Sequence, residues 1–206
     1  MPDRSRKSNR RQDILKAAEK LMLTKGLSGV TTRLIAEEVG CSEGALYVYF
    51  KGRVELLLAM LEECLPDMLG HLETLEQAVG RRTPQANLEL ALGGIFKFQR
   101  RILPLFAGLF AEPRLLEAYR KSLGSQRRGP QLAIERIARY IASEQERGRV
   151  DSSLDAPTAA SLLVSACFFR AYAEKFLGAP LQPAWTTFSK ALVASVVPQR
   201  LDRVQP

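Results

Sequence analysis

Apolar residues in this chain recur every third or fourth position over most of its length, and no stretch alternates apolar with polar at every second position. A helix turns once in about 3.6 residues, whereas a strand reverses face at each residue, so this spacing predicts an all-α fold. Ile14, Leu15, Ala18, Leu21 and Met22 share one face of a first helix, with Ser8 or Asn9 placed to cap it and Gly26 to stop it. Thr31 or Thr32 can cap a second helix of about two turns, with Leu34, Ile35 and Val39 inward and Gly40 at its end. Ser42 can cap a third short helix whose inward residues are Leu46 and Phe50. Two short helices joined by a tight Gly-containing turn are the helix-turn-helix arrangement.

The remainder reads as longer helices. From Val54 to about Val79 leucines recur with helical spacing, and Pro66 is expected to kink the helix. Residues 85–111 are apolar on most sides and are expected to break at Pro104; further helices are predicted at about 113–124, 130–147, 156–177 (capped by Asp155) and 184–197. The expectation is about nine helices, preceded by a polar basic arm over residues 1–8.

Composition narrows the function. The 206 residues include 30 Lys+Arg against 22 Asp+Glu, and residues 1–53 alone hold eleven cations against six anions. A polyanion is the natural partner of such a segment, although charge alone also fits a solvated tail. With 46% hydrophobic and 25% charged residues the chain is neither disordered nor fibrous. The uncharged run Ala156 to Phe169, which no other exceeds, falls short of the roughly 20 apolar residues a bilayer span needs. No membrane association is expected. The basic start lacks an apolar signal region, and Cys41, Cys64 and Cys167 are too scattered for a disulfide framework, so the cytoplasm is the expected location. No phosphate loop, dinucleotide fingerprint or nucleophile elbow occurs, and His71 is the sole histidine, expected to be exposed. Neither a catalytic residue, a metal ligand nor a cofactor is predicted.

Reading duplex DNA requires short helices set at an angle, an apolar pin behind them, and a slim outward turn. Ser42, Glu43, Gly44 and Ala45 supply that turn, narrow enough to enter a major groove roughly 12 Å wide. The run from Thr31 through Arg33, Gly40-Cys-Ser-Glu-Gly-Ala-Leu-Tyr47, Tyr49-Phe-Lys-Gly-Arg53 to Leu56 closely resembles the helix-turn-helix signature of the tetracycline-repressor-like (TetR) family. With Ile14-Leu-Lys-Ala-Ala18 and Gly26 the resemblance covers about residues 9–57. It implies a homodimeric transcriptional regulator, usually a repressor, released from a double-stranded DNA operator by a small ligand. The corresponding division is a DNA-binding domain over 1–53 and a ligand-binding and dimerisation domain over 54–206.

Carried over by position, Arg33 matches a residue that reaches a base or a phosphate, and Glu43, Gly44 and Ala45 match the base-reading turn. Glu43 stands where the family often has Lys or Gln; a carboxylate repels phosphate but accepts from cytosine N4, or favours the helix N-terminus. Tyr47 and Tyr49 match the aromatic pair that holds the DNA backbone, Lys51 a phosphate contact, and Arg53 the cation opening the long fourth helix.

In the second part, helix 156–177 carries two apolar stripes, Ala160, Val164, Cys167 and Ala171 on one side and Leu162, Phe169, Tyr172 and Phe176 on another. One stripe suits the core and the other a partner; with helix 184–197 they predict a four-helix dimer contact. Phe96, Phe106, Phe110, Tyr140, Phe168 and Tyr172 are the candidate lining for an apolar or aromatic effector, though aromatics at helical spacing are ordinarily core. The alternative function is an all-helical interaction protein that holds an anionic surface through its basic N-terminal region.

Overall fold

The computed structural model describes residues 4–26, 29–126, 129 and 131–198. Among the described residues there are nine helices and no strand: α1 Arg4–Lys25, α2 Thr32–Val39, α3 Glu43–Tyr47, α4 Arg53–Gln77, α5 Pro84–Phe110, α6 Pro113–Gln126, α7 Gln131–Glu146, α8 Ala156–Leu177 and α9 Trp185–Val196. The all-α expectation holds, with two local corrections. First, α1 begins at Arg4, so residues 4–8 are helix rather than an arm, and Ser8 and Asn9 lie inside it. Arg and Lys are good helix formers and carry the helix beyond its apolar stripe. Second, α5 runs unbroken through Pro104. An internal proline costs about 3 kcal/mol, and a buried large aliphatic side chain contributes about 1.5–3 kcal/mol. Ile102, Leu105 and Leu109 are all buried around it, so packing wins.

The helices group into two compact units, Met1–Leu65 with Ile102–Gln126 and Pro66–Arg101 with Arg127–Pro206, so α4 and α5 each contribute to both. In the first unit α1 packs on α2 and α2 on α3. Ile14, Ala18 and Met22 of α1 meet Ile35, Leu46, Phe50, Leu56 and Met60, and Leu105, Leu109 and Leu115 complete the core. The pattern read from sequence is the packing face.

In the second unit α7 packs on α8 and α8 on α9. The turn after α4 is held by buried polar side chains. Asn87 donates to the Tyr140 hydroxyl at 2.9 Å and to the Arg81 carbonyl at 2.8 Å, while the fully buried Glu144 accepts from the Gly80 N–H at 2.9 Å and pairs with Arg149 at 3.2 Å. Burial pushes the Tyr140 phenol well above its ordinary pKa. On α8 the stripe of Ala160, Val164, Cys167 and Ala171 is buried, whereas Leu162, Phe169, Tyr172 and Phe176 are exposed. Asp155 caps this helix by accepting from the Thr158 N–H at 2.8 Å. His71 is exposed as expected, its ring lying so close over Gly94 that a Cβ there would stand 2.1 Å from His71 Cδ2.

Candidate nucleic-acid interface

Capping sets the angle between α2 and α3. The Thr31 hydroxyl oxygen accepts from the Leu34 N–H at 3.2 Å to start α2. At its far end Gly40 takes the left-handed conformation, φ 69°, and the N–H groups of Gly40 and Cys41 return to the carbonyls of Glu37 and Ala36. That doubly bonded ending turns the chain sharply, and only a residue without a Cβ adopts it without strain. Two residues later the Ser42 hydroxyl oxygen accepts from the Ala45 N–H at 3.2 Å, starting α3. Leu46 and Phe50, both buried, pin α3 to the core from behind. The Arg11 guanidinium covers the Phe50 ring at 5.2 Å.

The front is open. A Cβ built on the exposed Gly44 would meet nothing nearer than Ser42 Oγ at 4.0 Å, so the first turn of α3 stands clear of its own chain. Tyr47 is 49% and the neighbouring Val48 67% exposed. On α2 the Arg33 side chain is 79% exposed and pairs with Glu37 one turn on at 3.0 Å. Such a solvated pair is worth about 0.3–0.5 kcal/mol, which a phosphate or a guanine edge readily outbids. Lys51 is exposed, and its backbone N–H donates to Glu55 at 2.7 Å, leaving its ammonium clear of that bond.

Other predicted residues sit differently. Ala45 is half-buried, and Tyr49 is half-buried against the core, unlike Tyr47. Arg53 is engaged by Glu112 at 2.6 Å. Glu43 is half-buried and accepts from the Thr32 hydroxyl at 2.5 Å. Thr32, through its bond to Glu43, and the exposed Val48 join the candidate site beside the residues expected from sequence. From sequence, Thr32 stands out only as an alternative cap. Cys41 is half-buried beside this core, whereas burial pushes the Cys167 thiol up to about 12.

The six aromatic residues named as effector lining fall in both units. Phe106 meets Tyr119 edge-on in the first unit, where Phe110 is exposed. In the second unit Phe96 is buried and stacked on Trp185 at 3.9 Å, Tyr140 is buried, and Phe168 and Tyr172 are exposed on α8. Among the described residues no group of His, Cys, Asp and Glu could hold a metal ion, and no helix is long and apolar enough to cross a membrane.

Two capped helices joined by a glycine turn, with a slim exposed first turn flanked by Arg33, Tyr47 and Lys51, define a helix-turn-helix DNA-binding protein. Residues 14–60 match the family model described as bacterial regulatory proteins, tetR family. The nucleoid occlusion factor SlmA of Vibrio campbellii is 31% identical over 175 residues, 73% of this chain and 85% of that protein. The chain belongs to the TetR family of transcriptional regulators, which are DNA-binding proteins and not enzymes. With SlmA of Vibrio atlanticus the likeness is 45% over 65 residues, 30% of this chain and 33% of that one. With the HTH-type transcriptional regulator YerO of Bacillus subtilis it is 28% over 90 residues, 44% of this chain and 31% of YerO, so the match spans about a third of both relatives. In fold the chain is similar to SmeT, repressor of the Stenotrophomonas maltophilia multidrug efflux pump SmeDEF, with TM-score 0.68, 19% identity, and 95% of this chain and 93% of that one covered. It is also similar to Salmonella enterica GusR, with TM-score 0.68, 17% identity and coverage of 92% and 95%.

Proposed function

We propose that the chain is a cytoplasmic homodimeric repressor that binds a palindromic operator and is released by a small effector. Residues 1–53 act as the DNA-binding domain and 54–206 as the effector-binding and dimerisation domain. The observation that carries this reading is the open first turn of α3, with Gly44 unobstructed and Arg33, Tyr47 and Lys51 exposed around it. In this reading Arg33 and Gly44 meet base edges, while Tyr47, Lys51 and the N–H groups that Ser42 leaves at the helix start meet phosphate. Ala45, Tyr49 and Arg53 support the contact from the partly buried side, and Glu43 sets the α2–α3 geometry. Reading two half-sites needs two copies. The exposed stripe of Leu162, Phe169, Tyr172 and Phe176 on α8 supplies an apolar face of the kind a second copy covers. Effector release follows the family pattern; among the six aromatics, Phe96 and Tyr140 are the buried ones.

The test is a gel-shift series on the DNA upstream of the chain's own gene, at several salt concentrations. Nanomolar binding to one palindromic site, falling steeply with salt, is the expected result. Salt-sensitive binding to anionic vesicles with no DNA preference would establish the interaction-protein alternative instead. A second reading follows from the likeness, over 73% of this chain, to a nucleoid occlusion factor. Genome-wide crosslinking separates the two: a repressor occupies a few promoters, an occlusion factor many dispersed sites.

A further inference from the structure

We propose that a cleft of about 270 Å³ beside the C-terminal end of α8 binds a small molecule carrying one carboxylate. Its charged lining is Arg100 of α5 with Glu174 and Lys175 of α8. The Glu174 side chain is only 7% exposed, and its charge is answered by the equally buried Arg170, whose Nε donates to it at 3.0 Å. The Leu181 N–H approaches the same oxygen at 3.4 Å. With that pair neutralised, Arg100 and Lys175 leave the cleft electropositive.

Arg100 is the poised group. Its nearest nitrogen stands 3.8 Å from the second Glu174 oxygen, beyond hydrogen-bond reach, and its side chain is 59% exposed. It is a loose ion pair, and the guanidinium also lies over the Phe96 ring at 5.5 Å, a ring that is itself stacked on Trp185. A guanidinium already oriented by an aromatic face, with its donors open, matches a carboxylate in two parallel hydrogen bonds. Lys175 adds a second, mobile cation. The Glu174 carboxylate and the last carbonyls of α8, which ends at the left-handed Gly178, oppose further negative charge, so a monoanion fits better than a phosphate dianion. Ala171, Ala179 and Pro180 offer an apolar wall for the rest of the ligand.

The same ion cluster holds the link between α8 and α9. Arg170 donates to the carbonyls of Leu181 and Pro183 at 2.5 and 2.6 Å, and its guanidinium covers the Phe188 ring at 4.7 Å. A carboxylate drawing Arg100 away from Glu174 acts on this link and on α8, whose exposed stripe ends at Phe176 beside Lys175. Ligand and dimer face thereby share one helix; this coupling, though not the binding, rests on the effector-controlled reading above.

Trp185 is the sole tryptophan of the chain and senses Arg100 through the Phe96 ring on which it stacks. Benzoate, butyrate and inorganic phosphate are titrated into the whole protein at constant ionic strength while its fluorescence is followed. The expected result is a saturable change with benzoate or butyrate, at least tenfold weaker in Arg100→Gln and intermediate in Arg100→Lys, with unchanged far-ultraviolet dichroism. No saturable change, an identical curve in Arg100→Gln, or tighter binding of phosphate than of both carboxylates overturns the site. The titration uses no DNA, so failure of operator binding leaves its outcome readable. Carboxylate saturation that leaves operator affinity unaltered overturns the coupling alone.

Discussion

The Thr32 hydroxyl donates to the Glu43 carboxylate at 2.5 Å, joining the first turn of α2 to the first turn of α3. The bond spans the turn made by Gly40, Cys41 and Ser42, so it fixes the angle at which α3 is presented. It also engages the carboxylate of Glu43, the acidic residue in the first turn of α3.

A hydrogen bond to a charged group is worth about 1.5–3 kcal/mol. Thr32→Val and Glu43→Ala should each lower stability by about 1.5 kcal/mol, the low end of that range because both residues are only half-buried, and the double variant should cost little more than either, as thermal melting will show. Operator affinity should fall in parallel without a change of preferred sequence. A preference altered at one operator position by Glu43→Ala alone would make Glu43 a base reader instead.

Arg33→Ala and Tyr47→Phe remove exposed groups that the fold does not need. Melting should stay within about 0.5 kcal/mol of the parent, while operator binding weakens by about 1–3 kcal/mol for a base-reading Arg33. A uniform loss across operator sequences, with a salt slope reduced by about one, would assign Arg33 to phosphate instead.

Dimerisation through α8 predicts that Phe169→Asp together with Phe176→Asp yields a folded monomer in sedimentation equilibrium. Both rings are exposed, at 66% and 75%, so helicity should survive. A dimer that persists would place the contact elsewhere.

Glu76 accepts two hydrogen bonds from Arg136, at 2.8 and 2.6 Å, and these hold its carboxyl below the usual carboxylate range. A lowered folded pKa favours folding above the unfolded value, and that contribution is lost as pH falls through the folded value. Stability should therefore decline on acidification below the ordinary glutamate range, and Glu76→Gln should flatten that limb while costing about 1 kcal/mol at neutral pH, in urea melts.

With its thiol at about 12, Cys167 stays protonated at neutral pH and is shut off from solvent. Site-resolved mass spectrometry after iodoacetamide treatment should find Cys41 modified in the native protein and Cys167 modified only on unfolding. Native labelling of Cys167 would show that the α8 core opens.

Helices and their ends were legible from residue order because both depend on neighbours a few positions apart. Ile14, Ala18 and Met22 announce a face, and Thr31, Gly40 and Ser42 announce the caps and the turn. The slim turn around Gly44 was legible for the same reason. Pro104 was misread because its effect depended on distant packing, and the start of α1 because propensity alone extends it. Periodicity gave α8 two equivalent stripes; neighbouring helices chose which one to cover. Packing likewise separated Tyr47 from Tyr49, joined Glu43 to Thr32 eleven residues away, and brought Arg100 toward Glu174 across two helices. Local order sets which groups a helix carries on each side. Burial and pairing of those groups are properties of space, and they are settled only when distant segments meet.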